Sequence, residues 1–148
     1  NLKDVIDELI NSFDQEFKKN KNKIEISISE NLYIRGVYEE IYSAFSNLIN
    51  NALMYSDKGT SIEINCHSND NNEIIFAIKD YGVGIPQEDI DRITERFYRV
   101  DKGRSREQGG TGLGLSIVKH ILKRHEAKLE IRSDLDSGSE FLCVFPKV

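Results

Sequence analysis

Cysteine is scarce in this chain of 148 residues: only Cys66 and Cys143 occur. Each sits inside an alternating apolar run, which reads as a small buried side chain in a strand rather than a disulfide or metal ligand. Their sparseness fits a reducing compartment. No apolar run approaches the roughly 20 residues that a membrane-spanning helix needs. The first residues, Asn1-Leu2-Lys3, show neither an initiator methionine nor a signal-peptide pattern, so the sequence reads as an internal fragment. An excess of basic charge is also missing. The formal net charge is −5, with 30 % of residues charged, and nucleic acid is therefore not expected as a partner.

What is present suits one folded unit over residues 1–148: 39 % of the residues are hydrophobic, enough for a continuous core. Leu2, Val5, Ile6, Leu9, Ile10, Phe13 and Phe17 recur at helical spacing, and the pattern fades in the polar stretch Lys18–Lys23. Ile24, Ile26 and Ile28 alternate as in a half-buried strand, and Leu32–Arg35 suggests a short second one. From Val37 to about Tyr55 the period is helical again, with Ile41, Ala44, Phe45, Leu48, Ile49 and Ala52 apolar. Ser61–His67 and Glu73–Asp80 read as a hairpin. Tyr81–Pro86 is a Gly-rich turn, and Pro86 opens a short helix ending near Ile93. Thr94–Gly110 is polar and aperiodic and reads as a loop.

Leu113–Arg124 reads as a helix burying Leu113, Ile117, Val118, Ile121 and Leu122; strands at Lys128–Ser133 and Ser139–Phe145 close the chain. The expected fold is α+β, a two-layer sandwich in which three helices cover one face of a mixed, mostly antiparallel sheet.

Three clusters carry chemistry. Asn47 and Asn51 are four residues apart and share one helix face. Their amide oxygens could complete the shell of a magnesium ion held chiefly by phosphate and water, though taken alone such a pair is more often a solvated polar face. Asp80-Tyr81-Gly82-Val83-Gly84-Ile85 follows a strand. The glycines allow backbone to approach a ligand, and the carboxylate can accept a hydrogen bond from an exocyclic amine; alone, the segment also describes an Asp-led tight turn. Gly109-Gly110-Thr111-Gly112-Leu113-Gly114-Leu115 opens a helix, where exposed N–H groups favour anions. It lacks the Gly-Lys-Ser/Thr of a P-loop and the βαβ setting of a dinucleotide fingerprint. Between the last two clusters lie Arg96, Arg99, Lys102, Arg104 and Arg106, five cations within eleven residues of an acidic chain. Next to a Gly-rich helix start they read as a lid over phosphates.

Asn-x-x-x-Asn-Ala, Asp-x-Gly-x-Gly, Arg-Phe-Tyr-Arg and Gly-x-Gly-Leu, in this order, resemble the N, G1, F and G2 boxes of bacterial sensor histidine kinases. The likeness runs from about Leu2 to Pro146. The wider superfamily includes gyrase, mismatch-repair and heat-shock chaperone ATPases. Thr94–Arg106, Gly110–His120 and His125-Glu126 look most like the phosphate-regulon branch. The resemblance implies a Bergerat-type ATP-binding fold that takes ATP and Mg²⁺. It puts Asn51 and Asn47 at the metal and phosphates, and Asp80 at the adenine amino group with Ser139 beside it.

It also puts Tyr55 and Ile85 against the adenine ring, with Gly82 and Gly84 in the turn. Arg99 and Lys102 fall at the terminal phosphates, and Gly110, Thr111, Gly112, Leu113, Gly114 and Leu115 around the triphosphate. Asn47 and Arg99 are the residues nearest catalysis. Asn47 stands where hydrolysing relatives carry a Glu, and an amide cannot serve as a general base, which favours transfer over hydrolysis. Phe97 is expected to anchor a partner domain.

Met54 departs from the Lys common in the family, and Asp136 from a Gly. None of His67, His120 and His125 lies in an acceptor-like setting. The resemblance thus implies a phosphoacceptor histidine on a dimerisation domain outside this chain, a response regulator downstream and little turnover by the fragment. It also implies a monomeric fragment without membrane contact, cut from a homodimeric, inner-membrane-anchored kinase whose catalytic part is cytoplasmic. An anti-sigma-type regulator or an ATP-driven clamp remains the alternative.

Overall fold

The computed structural model describes residues 1–99 and 112–148. Helix α1 (Leu2–Lys19) starts on Asn1, whose side-chain oxygen accepts the N–H of Lys3 at 2.9 Å and satisfies one orphan donor of the first turn. Its stripe buries Leu2, Val5, Ile6, Leu9 and Phe17. Strand β1 (Lys23–Ile28) follows. The short strand expected at Leu32–Arg35 does not form: the segment is irregular. Leu32 is buried beneath α1, and its carbonyl accepts the Leu2 N–H at 3.0 Å, so its apolar character serves packing rather than a ladder.

Helix α2 (Tyr38–Tyr55) buries the six apolar residues that its period singles out. Strands β2 (Ser61–Ser68) and β3 (Ile74–Asp80) form the expected hairpin. Helix α3 (Gln87–Ile90) is one turn on Pro86, and the Ile93 N–H still bonds to the Asp89 carbonyl beyond it. Helix α4 (Gly114–Arg124) leads to β4 (Lys128–Ser133) and β5 (Ser139–Phe145).

The sheet order is β1-β2-β3-β5-β4. Among the described residues only β1 and β2 run parallel, because α2 lies between them in sequence and carries the crossover that parallel neighbours need. The remaining pairs are antiparallel. The inward rows of β2, β3 and β5 pack on α2: Phe45 stacks on Phe76 with ring centroids 3.9 Å apart and meets Phe145 edge-on at 6.1 Å. Cys66 and Cys143 lie in these rows, one on each side of Phe76, and both are buried free thiols. Burial pushes the Cys66 thiol up to about 12.

On α4 the stripe is Leu115, Val118, Ile121 and Leu122, whereas Ile117, expected inside, is 40 % exposed. Leu115, Val118 and Leu122 follow the i, i+3, i+7 rule, and Ile117, one turn before Ile121, falls at the edge of the stripe, where the sheet does not cover it. Among the described residues no helix is long and apolar enough to cross a membrane.

Candidate nucleotide site

The pairing of β3 with β5 sets Asp80 opposite Ser139 at one end of the sheet. Beyond them the chain turns sharply, and here the backbones nearly touch. A β-carbon at Gly82 would lie 1.8 Å from the Tyr55 carbonyl oxygen. Gly84 has φ +72°, and a β-carbon there would lie 2.0 Å from the Asp134 carbonyl oxygen. Glycine alone fits both positions, so the turn seats against the end of α2 and the β4–β5 hairpin.

The space left is a cavity of about 230 Å³. Val83, Ile85, Pro86, Ile93 and Leu135 give it apolar walls, Tyr55 an aromatic one, and Asn51, Asp80, Asp136 and Ser139 the polar groups. An apolar cleft with a few convergent polar groups is what a flat heterocycle requires. Asp80 is 2 % exposed. Burial raises its carboxyl to about 6, while backbone N–H groups of Gly82 and Ser139 act to lower it. The Gly82 bond, 3.0 Å long, is the Asp-led turn itself; the same side chain closes the turn and forms part of the cavity.

Of the residues singled out in the sequence, the cavity gathers Asn51, Tyr55, Asp80, Gly84, Ile85 and Ser139. Asn47 lies one helical turn before Asn51. Its Nδ2 donates to the Ser43 carbonyl at 2.8 Å, and a β-carbon at Gly114 would sit 3.1 Å from its Oδ1. The N-terminus of α4 therefore abuts the polar face of α2. Leu113 caps that helix without a side-chain bond to its first N–H groups. The Leu115 side chain is buried in the core, which leaves only its backbone for a ligand.

Phe97 is 65 % exposed and donates its N–H to the Gly112 carbonyl at 2.8 Å, tying the Arg96–Arg99 segment to the start of α4. The Tyr98 hydroxyl bonds Asp89, and the Arg92 guanidinium lies 4.6 Å from its ring. Arg99 is half-buried. Lys102, Gly110 and Thr111 lie outside the described residues.

One buried polar residue of this region carries no motif: Ser133. It accepts the Ile85 N–H and lies 2.9 Å from the Ser139 hydroxyl. It continues the inward alternation Leu129, Ile131, so a hydroxyl falls where an apolar group is expected and must find partners. That is the signal that could have revealed it.

An apolar cleft with convergent polar groups near a Gly-rich helix N-terminus, on a mixed sheet covered by helices, describes an ATP-binding module. Residues 36–148 match the family described as histidine kinase-, DNA gyrase B- and HSP90-like ATPase. The chain belongs to this family, as the ATP-binding domain of a histidine kinase.

The phosphate regulon sensor protein PhoR of Pseudomonas aeruginosa is 42 % identical over 124 residues, 84 % of this chain and 28 % of PhoR. The signal transduction histidine-protein kinase ArlS of Staphylococcus aureus is 41 % identical over 117 residues, 79 % of this chain and 26 % of ArlS. The chain thus spans little more than a quarter of these relatives. The catalytic domain of histidine kinase ThkA superposes with a TM-score of 0.86 at 25 % identity, covering 99 % of this chain and 95 % of that one.

Proposed function

We propose that the chain is a single catalytic domain that binds Mg-ATP and hands the γ-phosphate to a histidine on a separate dimerisation domain of the same kinase, from which a response regulator takes it. The observation that carries this reading is the buried, acceptor-only Asp80 in an apolar cleft, because an exocyclic amine is the edge that such a carboxylate recognises. In this reading Asp80 and Ser139 take the adenine edge, and Tyr55 and Ile85 flank the ring. Gly82 and Gly84 shape the turn, and Gly112, Leu113, Gly114 and Leu115 offer backbone N–H groups to the phosphates. Arg99, with Lys102, Gly110 and Thr111, completes the phosphate contacts.

Among the described residues no group of three His, Cys, Asp or Glu could hold a metal by itself. An ion held mostly by triphosphate oxygens, with Asn51 and Asn47 supplying amide oxygens, fits this donor set. Magnesium would neutralise charge on the phosphates. Asn47 supplies no base for water, and phosphoryl transfer rests mainly on positioning and charge. The fragment alone is therefore expected to hold ATP with little turnover.

The likeness to PhoR supports a phosphate-sensing kinase; we further propose that the whole kinase is homodimeric and anchored in the inner membrane with this domain on the cytoplasmic side. The nearly equal likeness to ArlS leaves the input signal as the finer part of the proposal. The test is titration of a fluorescent ATP analogue, with and without Mg²⁺, on the parent, Asp80→Asn and Asn51→Ala. The parent is expected to bind, Asp80→Asn to lose affinity in both conditions, and Asn51→Ala to lose chiefly the Mg²⁺-dependent part. Undiminished binding in both variants would remove the assignment. Phosphohistidine formed on an added dimerisation domain tests the transfer step.

A further inference from the structure

Ser133 ends β4, is 9 % exposed and does not line the cavity. Its Oγ accepts the Ile85 N–H at 2.8 Å, donates to the Gly138 carbonyl at 2.8 Å and lies 2.9 Å from Ser139 Oγ. A hydroxyl has one proton and two lone pairs. The Gly138 carbonyl can only accept, so the single Ser133 proton goes there. The Ile85 N–H occupies one lone pair. The contact with Ser139 must then run from the Ser139 hydroxyl to the second lone pair, and Ser133 is saturated.

The consequence falls on Ser139. Its only hydroxyl proton is committed to Ser133, so towards the cavity it can offer lone pairs alone. Beside it the Asp80 carboxylate accepts N–H groups of Gly82 and Ser139 and likewise has only acceptors to offer. At pH 7.5, where Asp80 is ionised and at which the test below is run, the polar corner formed by these two residues therefore lacks a proton donor from either side chain.

We propose that Ser133, without touching the ligand, makes the site selective for a 6-aminopurine over a 6-oxopurine by fixing the Ser139 hydroxyl as an acceptor. The inference rests on the reading of this cavity as the adenine site. A 6-amino group brings protons to that corner. A 6-oxo group brings lone pairs against lone pairs in a buried site, where an unmade hydrogen bond is penalised in full. Ser133 is thus a positioning residue. Removing its hydroxyl lets Ser139 rotate its proton towards the cavity and donate to a 6-oxo group.

The experiment measures displacement of a fluorescent ATP analogue by ATP and by ITP, which differ only at position 6 and the protonation of the adjoining ring nitrogen. It uses the full chain, Ser133→Ala, Ser139→Ala and the double variant, with folding of each checked by thermal melting. The parent is expected to prefer ATP, and Ser133→Ala to narrow the ATP/ITP affinity ratio by about tenfold, the scale of one buried hydrogen bond. Because Ser133 acts through Ser139, the double variant should show the same ratio as Ser139→Ala. A merely structural role would weaken both nucleotides together and leave the ratio at the parent's value, and that result overturns the inference. A parent that binds ATP without preferring it over ITP also overturns it, with the adenine site still standing. A parent that displaces no analogue with either nucleotide takes down both.

Discussion

His125 accepts the backbone N–H of Val37 on Nε2 at 3.1 Å, so the residue that ends α4 holds the residue that starts α2. The other ring nitrogen, Nδ1, lies 2.7 Å from the Ile121 carbonyl and donates to it, and the Glu40 carboxylate lies 3.7 Å from Nε2. The side chain is 6 % exposed and packs against Gly36, where a β-carbon would lie 2.7 Å from the imidazole Cδ2. The two helices joined here also carry Asn47, Asn51 and the Gly-rich helix start, so the clamp fixes the far end of the helix pair that bears the candidate phosphate site. His125→Ala leaves the Val37 N–H without its partner and opens a void. A loss of about 2 kcal/mol is expected in urea unfolding; an unchanged midpoint would show that water replaces the ring at no cost.

Asp80 gives a pH dependence of definite sign. Its carboxyl moves from the usual 3.8 up to about 6 because burial disfavours the charge. Between these values the folded state holds a proton that the unfolded chain has released. Stability is therefore greatest below pH 4 as far as this group is concerned, and falls as pH rises to about 6, by about 3 kcal/mol in total. Asp80→Asn should flatten this part of the profile and melt no lower than the parent at pH 7.5, while binding ATP more weakly. A lower melting temperature would mean that the two N–H bonds to the carboxylate outweigh its burial.

The same titration acts on the ligand. A protonated Asp80 offers fewer lone pairs to an amine, so nucleotide affinity in the parent should decline as pH drops through about 6. Fluorescent titrations at pH 5.5 and 7.5 read this directly, and Asp80→Asn should show no such step.

Gly82 admits no side chain. The 1.8 Å between its notional β-carbon and the Tyr55 carbonyl oxygen is a backbone clash that a rotamer cannot relieve. Gly82→Ala should force the turn away from α2, lower stability by about 2 kcal/mol or more, and weaken nucleotide binding because Tyr55 and Asp80 then no longer face one cavity. Binding at the parent's level would place the base elsewhere.

Phe45 and Phe76 stack across the boundary between α2 and the sheet, with both rings fully buried. Phe45→Ala should cost about 3–5 kcal/mol. If denaturant unfolding shows less than 1 kcal/mol, on the scale of a surface substitution, the core has collapsed to fill the space.

The elements themselves were legible wherever one local period dominated. The apolar face of α2 and the limits of β4 and β5 follow from alternation or helical spacing alone, because burial of one face is dictated residue by residue. Leu32–Arg35 misled for the same reason: two apolar residues near a turn fit a strand, but what Leu32 meets is α1, a partner distant in sequence. Ile117 and Leu115 lie on stripes of one short helix that spacing cannot rank, and only the sheet beneath decides which is covered.

The acceptor corner follows the same division. Asp80, the glycines beside it and the four ordered boxes pointed to an ATP site through their resemblance to the histidine kinase boxes, each cluster alone being open to a simpler reading. Local order alone could not set β5 between β3 and β4, and that placement is what puts Ser139 against Asp80 and Ser133 behind Ser139. A hydroxyl's role as donor or acceptor depends on neighbours some fifty residues away, such as Ile85, and that relation exists only in the folded chain.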